Sequence, residues 1–290
     1  GIKWWMAGIE GLTHDVEHVI VQQGLPKNPK AIHTAYPMVA RHLVLDSFGQ
    51  IKKLFDSKQY FCFSVVRNPY TRTFSAWADK VLTGMHIHTR KRLHGEAFYD
   101  KPILTIQDAV KGFESFVSWL ESGPDALQSD RHWMPQFLLL RPDILGYDYI
   151  GKMENSDEID QRLSSAVGEE HGGPFGKERV LNKSLLSYHP DLVTEKAKES
   201  IRILYADDFK TFGYDDTVLP ARGLPLEKSA VEKTLIRVFI KRAQSAQRKL
   251  VTLEAEREAL ETNPLVALKQ LGKACLCPLR YSWSRLRHRV

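Results

Sequence analysis

The stretch Tyr60-Phe-Cys-Phe-Ser-Val-Val-Arg67-Asn-Pro-Tyr-Thr-Arg72-Thr-Phe-Ser75-Ala-Trp77 constrains the fold more than any other part of the chain. Tyr60 to Val66 is a nearly unbroken apolar or aromatic run. A run that short suits a strand covered on both faces, as in a parallel sheet. Asn68 is a good N-cap, and Pro69 a good first helical residue, because a proline there gives up an N–H that has no partner anyway. Phe74, Trp77 and Val81 then recur at helical spacing, and Gly84 can stop the helix.

This geometry has a chemical consequence. Asn68 and Ser75 are seven residues apart, about two helical turns, and so share a face. That face looks back at the strand end where Arg67 emerges. A guanidinium, a hydroxyl and a helix N-terminus converging on one point suit a phosphate: the arginine binds two oxygens at once, and the helix end adds positive partial charge. In parallel α/β sheets, ligands sit at such carboxyl strand ends. The plain alternative is an arginine that caps a strand and pairs with a surface acid.

The eight-residue spacing from Arg67 to Ser75, between this strand and this helix, resembles the 3'-phosphate-binding segment of sulfotransferases that use 3'-phosphoadenosine 5'-phosphosulfate (PAPS). More narrowly, Val66-Arg-Asn-Pro-Tyr-x-Arg72-x-x-Ser75-Ala-Trp77 resembles the carbohydrate-type PAPS-dependent sulfotransferases, the Golgi enzymes and their bacterial relatives. The resemblance implies an α/β fold: a P-loop-NTPase-like parallel sheet flanked by helices, here with a C-terminal helical extension. It also implies a phosphosulfate loop of the type Pro-Lys-x-x-x-Thr-Ser ahead of the first helix. Ile2-Lys-Trp-Trp looks like the start of that helix, so the loop and its lysine are expected upstream of Gly1, with the domain N-terminally truncated. Pro26-Lys27 is a rival, but Pro29 follows and no Ser or Thr caps a helix behind it.

The bulk numbers fit. A chain of 290 residues, 43% hydrophobic, can bury a real core. No apolar run reaches the roughly 18 residues that span a bilayer. Three cysteines are too few for a disulfide scaffold, and Cys275-x-Cys277 lacks a second pair for zinc. A reducing, cytoplasmic location is expected, the Golgi lumen less so. From Glu227 onward there are 14 Lys/Arg and 6 Asp/Glu, so the net charge of +6 belongs to the tail and does not argue for nucleic-acid binding by the main domain.

In chain order, Gly1 to Gln23 reads as helix, and 26–37 as a loop carrying His33. Residues 38–54 read as helix with His42 on it. The resembled family often has a histidine upstream of the Arg-Asn-Pro strand, and Ala31-Ile-His33-Thr-Ala looks like that element, which implies His33 as general base, with His42 as the alternative. His86, His88 and His94 invite a metal reading, but no acid or thiolate stands in ligand register and the neighbouring basic residues repel a cation; the segment reads as an exposed basic loop. Ile106 to Leu120 is an amphipathic helix. Asp130-Arg-His-Trp-Met-Pro-Gln136 resembles a family loop that lines the acceptor cleft, through Arg131 and His132; otherwise Trp133 plugs a core and His132 bonds a backbone carbonyl.

Tyr147-Asp-Tyr-Ile-Gly-Lys-Met-Glu154 reads as a second strand and resembles another family element, with Glu154 a structural carboxylate tying sheet to helix. A helix from about Pro190 to Tyr205 follows. Asn182-Lys183-Ser184 with Asp208-Phe-x-x-Phe-Gly-Tyr214 resembles the C-terminal family signature, in which the Asn-x-Ser loop folds over the adenosine and its 3'-phosphate; Lys183 would add charge. The expected organisation is a sulfotransferase domain over 1–218, a linker over 219–226 and a basic helical tail over 227–290. In the tail Leu235, Val238, Phe239, Arg242 and Ala246 form a patchy apolar stripe rather than sustained heptads. The tail suggests peripheral contact with anionic lipid or simple solvation.

The function so implied is transfer of a sulfuryl group from PAPS to a hydroxyl of a carbohydrate acceptor, without metal. Arg67, Ser75, Asn182, Lys183 and Ser184 would bind the cofactor, His33 would act as base, and Arg131 and His132 would meet the acceptor. Two other classes stand beside it. A P-loop-like kinase would need a Walker lysine and an acidic magnesium ligand, and neither is in view. A non-catalytic protein would dock through its basic tail.

Overall fold

Apolar residues at helical spacing dominate this chain, and helices dominate the structure. The computed structural model describes residues 6, 12–23, 35, 38–39, 47–84, 87–175, 184–221 and 225–262. The chain divides into two units, 1–236 and 237–290. His33, His42, Pro26-Lys27, His86, Asn182 and Lys183 lie outside the described residues, as do Cys275 and Cys277.

In the first unit, α1 (Thr13–Gln22) buries Val16 and Ile20 in a small cluster with Ala35. Helix α2 (Phe48–Ser57) opens with a Ser47/Gln50 capping box. The strand expected at 60–66 is shorter, β1 (Phe63–Val66), because Tyr60 and Phe61 are exposed ahead of it. It runs into α3 (Pro69–Ala76), where Asn68 Oδ1 accepts from the Tyr70 N–H at 3.0 Å and Pro69 is the first helical residue. A π-helical turn, Trp77–Leu82, continues α3. Gly84 ends it at φ 60°, a left-handed conformation that costs glycine little.

Helix α4 (Ile106–Leu120) begins at the expected residue because Thr105 and Asp108 cap each other's backbone. Then come α5 (Gln136–Leu140), β2 (Tyr149–Lys152), α6 (Ser156–Val167), α7 (Glu195–Leu204) and α8 (Ala206–Phe212). Helix α7 starts five residues later than Pro190, because Thr194 Oγ1 accepts from the Ala197 N–H and sets the cap there. The basic segment read as a loop is a short helix, Ile87–Leu93.

Strands β1 and β2 pair in parallel, Phe63 opposite Tyr149 and Val66 opposite Lys152. They are the whole sheet among the described residues. The expected P-loop-NTPase-like parallel sheet flanked by helices is therefore not what the described residues form. Of the segments described here, two supply short strands; most of the other apolar residues recur every three or four positions and pack as helices.

The core beside α3 is aromatic. Phe74, Trp77, Phe113, Phe116 and Trp133 are fully buried. Phe74 meets Phe113 edge-on at 5.0 Å between ring centres, and Phe116 meets Trp133 edge-on at 5.5 Å. These contacts anchor α3 and the segment around Trp133 to α4.

The helix that carries the tail, α9 (Lys228–Thr262), is 35 residues long and continues into the second unit. Among the described residues, no helix is long and apolar enough to cross a membrane.

Candidate functional site

Arg67 stands where β1 gives way to α3, and its backbone is held by a side chain from far along the chain. Gln136 Oε1 accepts from the Arg67 N–H at 2.9 Å, and Gln136 Nε2 donates to the Arg67 carbonyl at 2.9 Å. One carboxamide thus serves both polar groups of one residue, as the next strand of a sheet would. Gln136 is fixed in turn by Asp208 on α8. Its N–H donates to Asp208 Oδ2 at 2.8 Å, and the Phe137 N–H donates to Oδ1 at 2.7 Å. Asp208 is fully buried. Burial pushes its carboxyl above the usual aspartate range, against the pull of those hydrogen bonds and of Arg72.

The Arg67 guanidinium lies along the first turn of α3, Nε donating to Thr71 Oγ1 at 3.0 Å. Ser75 is one turn beyond Thr71 on the same face, half-buried. Arg67, Thr71 and Ser75 therefore mark a single strip from strand end to helix. The next residue, Asn68, donates its N–H to Glu154 Oε1 at 2.9 Å, and Tyr214 donates its hydroxyl to Glu154 Oε2 at 2.9 Å. Glu154 thus ties the end of β2 to the start of α3 and to the segment after α8. Burial, with Glu154 adding to it, pushes the Tyr214 phenol well up.

The loop before Gln136 is fastened to α3 as well. Arg72 Nη2 donates to the Arg131 carbonyl at 2.9 Å. Its Nη1 is buried without a hydrogen-bond partner among the described residues. Burial holds this guanidinium below its ordinary value, with Tyr205 and Asp208 acting in the opposite direction. Trp133 is buried, its Nε1 donating to the Ala126 carbonyl at 3.1 Å, so it does plug the core. Arg131 and His132 remain exposed beside it. Among the described residues His132 bonds no backbone carbonyl through its ring: Nδ1 lies 2.5 Å from Asp130 Oδ1, which also accepts the His132 N–H at 2.9 Å. Burial alone would raise the Asp130 carboxyl, but the bonds from the His132 ring and backbone outweigh it and hold it at about 2. In a neutral ring whose proton sits on Nδ1, facing that carboxylate, Nε2 would be the nitrogen able to accept.

The structure therefore joins the Arg67–Ser75 segment to the Arg131–His132 loop through Arg72 and Gln136. Ser184 is described and half-buried, but the contacts given above for Arg67 do not include it, and the rest of its motif is outside the described residues. Gln136, Asp208 and Arg72 were missed by sequence reasoning as parts of the site. All three sit inside motifs quoted above, yet no local pattern says that residues roughly seventy positions apart share hydrogen bonds. Among the described residues, no group of three His, Cys, Asp or Glu is placed to hold a metal ion.

Comparison with known proteins gives two matches. Residues 26–215 match the family described as the Sulfotransferase family. The chain is also similar to carbohydrate sulfotransferase 14 of Danio rerio, 26% identical over 167 residues, which cover 54% of this chain and 44% of that protein. The chain thus spans less than half the length of that relative. No solved structure matches.

Proposed function

The chain belongs to the sulfotransferase family, and on that premise we propose that it transfers a sulfuryl group from PAPS to a carbohydrate hydroxyl. The acceptor oxygen attacks sulfur, the bond from sulfur to the 5'-phosphate oxygen breaks, and adenosine 3',5'-bisphosphate leaves with that electron pair. The acceptor's proton passes to a base. The reading is supported above all by the double fastening of the 130–136 loop onto the Arg67–Ser75 segment, through Arg72 to Arg131 and Gln136 to Arg67. It joins the segment proposed to bind phosphate to the loop that carries two exposed polar side chains.

In this proposal Arg67 and Ser75 hold the 3'-phosphate at the start of α3, where the helix end favours an anion. Asn182, Lys183 and Ser184 close over the nucleotide, while Arg131 and His132 meet the acceptor. His33 takes the proton. The Asp130 contact favours His132 as the second candidate, since it presents a ring nitrogen able to accept.

The test uses the full-length protein, adenosine 3',5'-bisphosphate, ATP and radiolabelled PAPS with a panel of glycans. Binding of the bisphosphate but not ATP, and label transferred to at least one glycan, is expected. Preference for ATP would move the chain to the kinase reading. Failure to bind either nucleotide would leave the docking protein.

A further inference from the structure

We propose that His14 and His18 on α1 form a surface site for a divalent transition-metal ion of the Zn²⁺ or Cu²⁺ class. The two stand four residues apart, and side chains at that spacing are neighbours, one turn apart on one helix face. Packing fixes which face this is. Val16 and Ile20 are buried with Ala35, and Met6, Leu12, Val19 and Val39 pack around them. Every member of that cluster is apolar. His14 and His18 lie on the other side of α1, both exposed, the His14 side chain at 92%. Their rings are within 7° of parallel, with centres 6.5 Å apart. An imidazole nitrogen binds zinc at about 2.0–2.1 Å, so two nitrogens on one ion stand no more than about 4 Å apart. Exposed rings reach this by turning between side-chain rotamers, with the backbone unmoved.

The charge along this helix favours a cation. From Leu12 to Gln23 the chain carries Asp15 and Glu17 and no lysine or arginine. Asp15 is in the first turn, its Oδ1 4.0 Å from His14 Nδ1. A carboxylate on that side draws the Nδ1 proton and leaves Nε2 for the ion. Asp15 is also three residues before His18, and Glu17 three after His14, so an acid flanks the pair on each side. The two acids offset the positive end of the helix, which alone would disfavour a cation. His86, His88 and His94 lack this setting, because Arg90, Lys91 and Arg92 stand among them. No third side chain joins the pair among the described residues, so water would fill the remaining positions. Such an open site exchanges its ion, unlike a closed four-ligand zinc site. Imidazole nitrogens select late first-row ions over Mg²⁺, which takes oxygen ligands. The pair shares no residue with the Arg67–Ser75 segment, and the inference is independent of the reaction proposed above.

Calorimetric titration of the full chain with Zn²⁺ near neutral pH tests this. Binding in the micromolar range is expected, undisturbed by excess Mg²⁺ and weakening as pH falls below about 6.5, where imidazole takes up its proton. His14→Ala and His18→Ala should each weaken it at least about tenfold, because a chelate becomes a single ligand. Both side chains are exposed and alanine favours a helix, so the variants should fold as the wild type does, as circular dichroism would read. His18→Ala combined with Val21→His keeps the number of histidines but sets the rings two turns apart, at a position 65% exposed. It should not restore the affinity. Zn²⁺ should also raise the thermal transition of the wild type more than that of His18→Ala, since only the folded helix presents both rings. A wild type that binds Zn²⁺ no tighter than His18→Ala overturns the proposal. Affinity regained with Val21→His overturns it too, because the spacing of the pair would then be immaterial.

Discussion

The carboxamide of Gln136 is hydrogen-bonded to both the N–H and the carbonyl of Arg67, each at 2.9 Å. Asp208 keeps it there, since each Asp208 oxygen accepts a backbone N–H, from Gln136 and from Phe137. A buried group held this way is expensive to disturb. An asparagine at 208 has one oxygen where the carboxylate has two, so its amide must face an N–H. Asp208→Asn should therefore destabilise the fold by about 1–3 kcal/mol, the cost of leaving a buried donor unmet. Thermal unfolding checks this, and a transition unchanged from wild type would show that Asp208 does not anchor Gln136.

Arg67 and Ser75 should separate by magnitude. Removing a charged hydrogen-bonding partner costs about 1.5–3 kcal/mol, which is roughly ten- to a hundredfold in affinity. Arg67→Ala should weaken adenosine 3',5'-bisphosphate by that factor, and Ser75→Ala by less than tenfold, as titration calorimetry would read. Arg67→Lys should recover only part, because an ammonium cannot match two oxygens at once. Equal affinities in all four proteins would remove this strip from the nucleotide site.

Asp130 gives a pH signature. Its carboxyl is held at about 2 in the folded chain, below the ordinary aspartate value of about 3.9. A depressed acid stabilises the fold above its unfolded value, and that stability is lost as pH falls toward the folded one. Wild type should thus lose more stability than Asp130→Asn between about pH 4 and about pH 2. Denaturant midpoints measured across that window decide it; parallel curves would mean that the His132 contact contributes nothing to the folded state.

Gly151 in β2 is a packing position. A methyl group there would stand 2.6 Å from Ile159 Cγ1 and 2.9 Å from the Tyr149 ring. Ile159 is fully buried on α6. Gly151→Ala should cost about 1–3 kcal/mol through overpacking. Because β2 leads into Glu154, it should also loosen the start of α3. Denaturant unfolding measures the first effect and bisphosphate affinity the second. An unchanged midpoint would mean that α6 yields freely.

The sequence by itself determined the local chemistry. Asn68 and Pro69 start α3, Gly84 stops its continuation, Thr105 and Asp108 start α4, and Arg67 falls at a strand end, because caps, turns and short apolar runs depend on near neighbours. The family was legible in the same residues. The parallel sheet proved to have two short strands among the described residues. Strand number depends on which segments find partners, and an apolar run does not disclose that. Only the tertiary structure brought Gln136 and Asp208 to Arg67, Arg72 to Arg131, and Glu154 to Asn68 and Tyr214. Each of these is a choice of partner across many residues, made by packing and by the need to pair buried polar groups, and periodicity along a single segment carries no record of it.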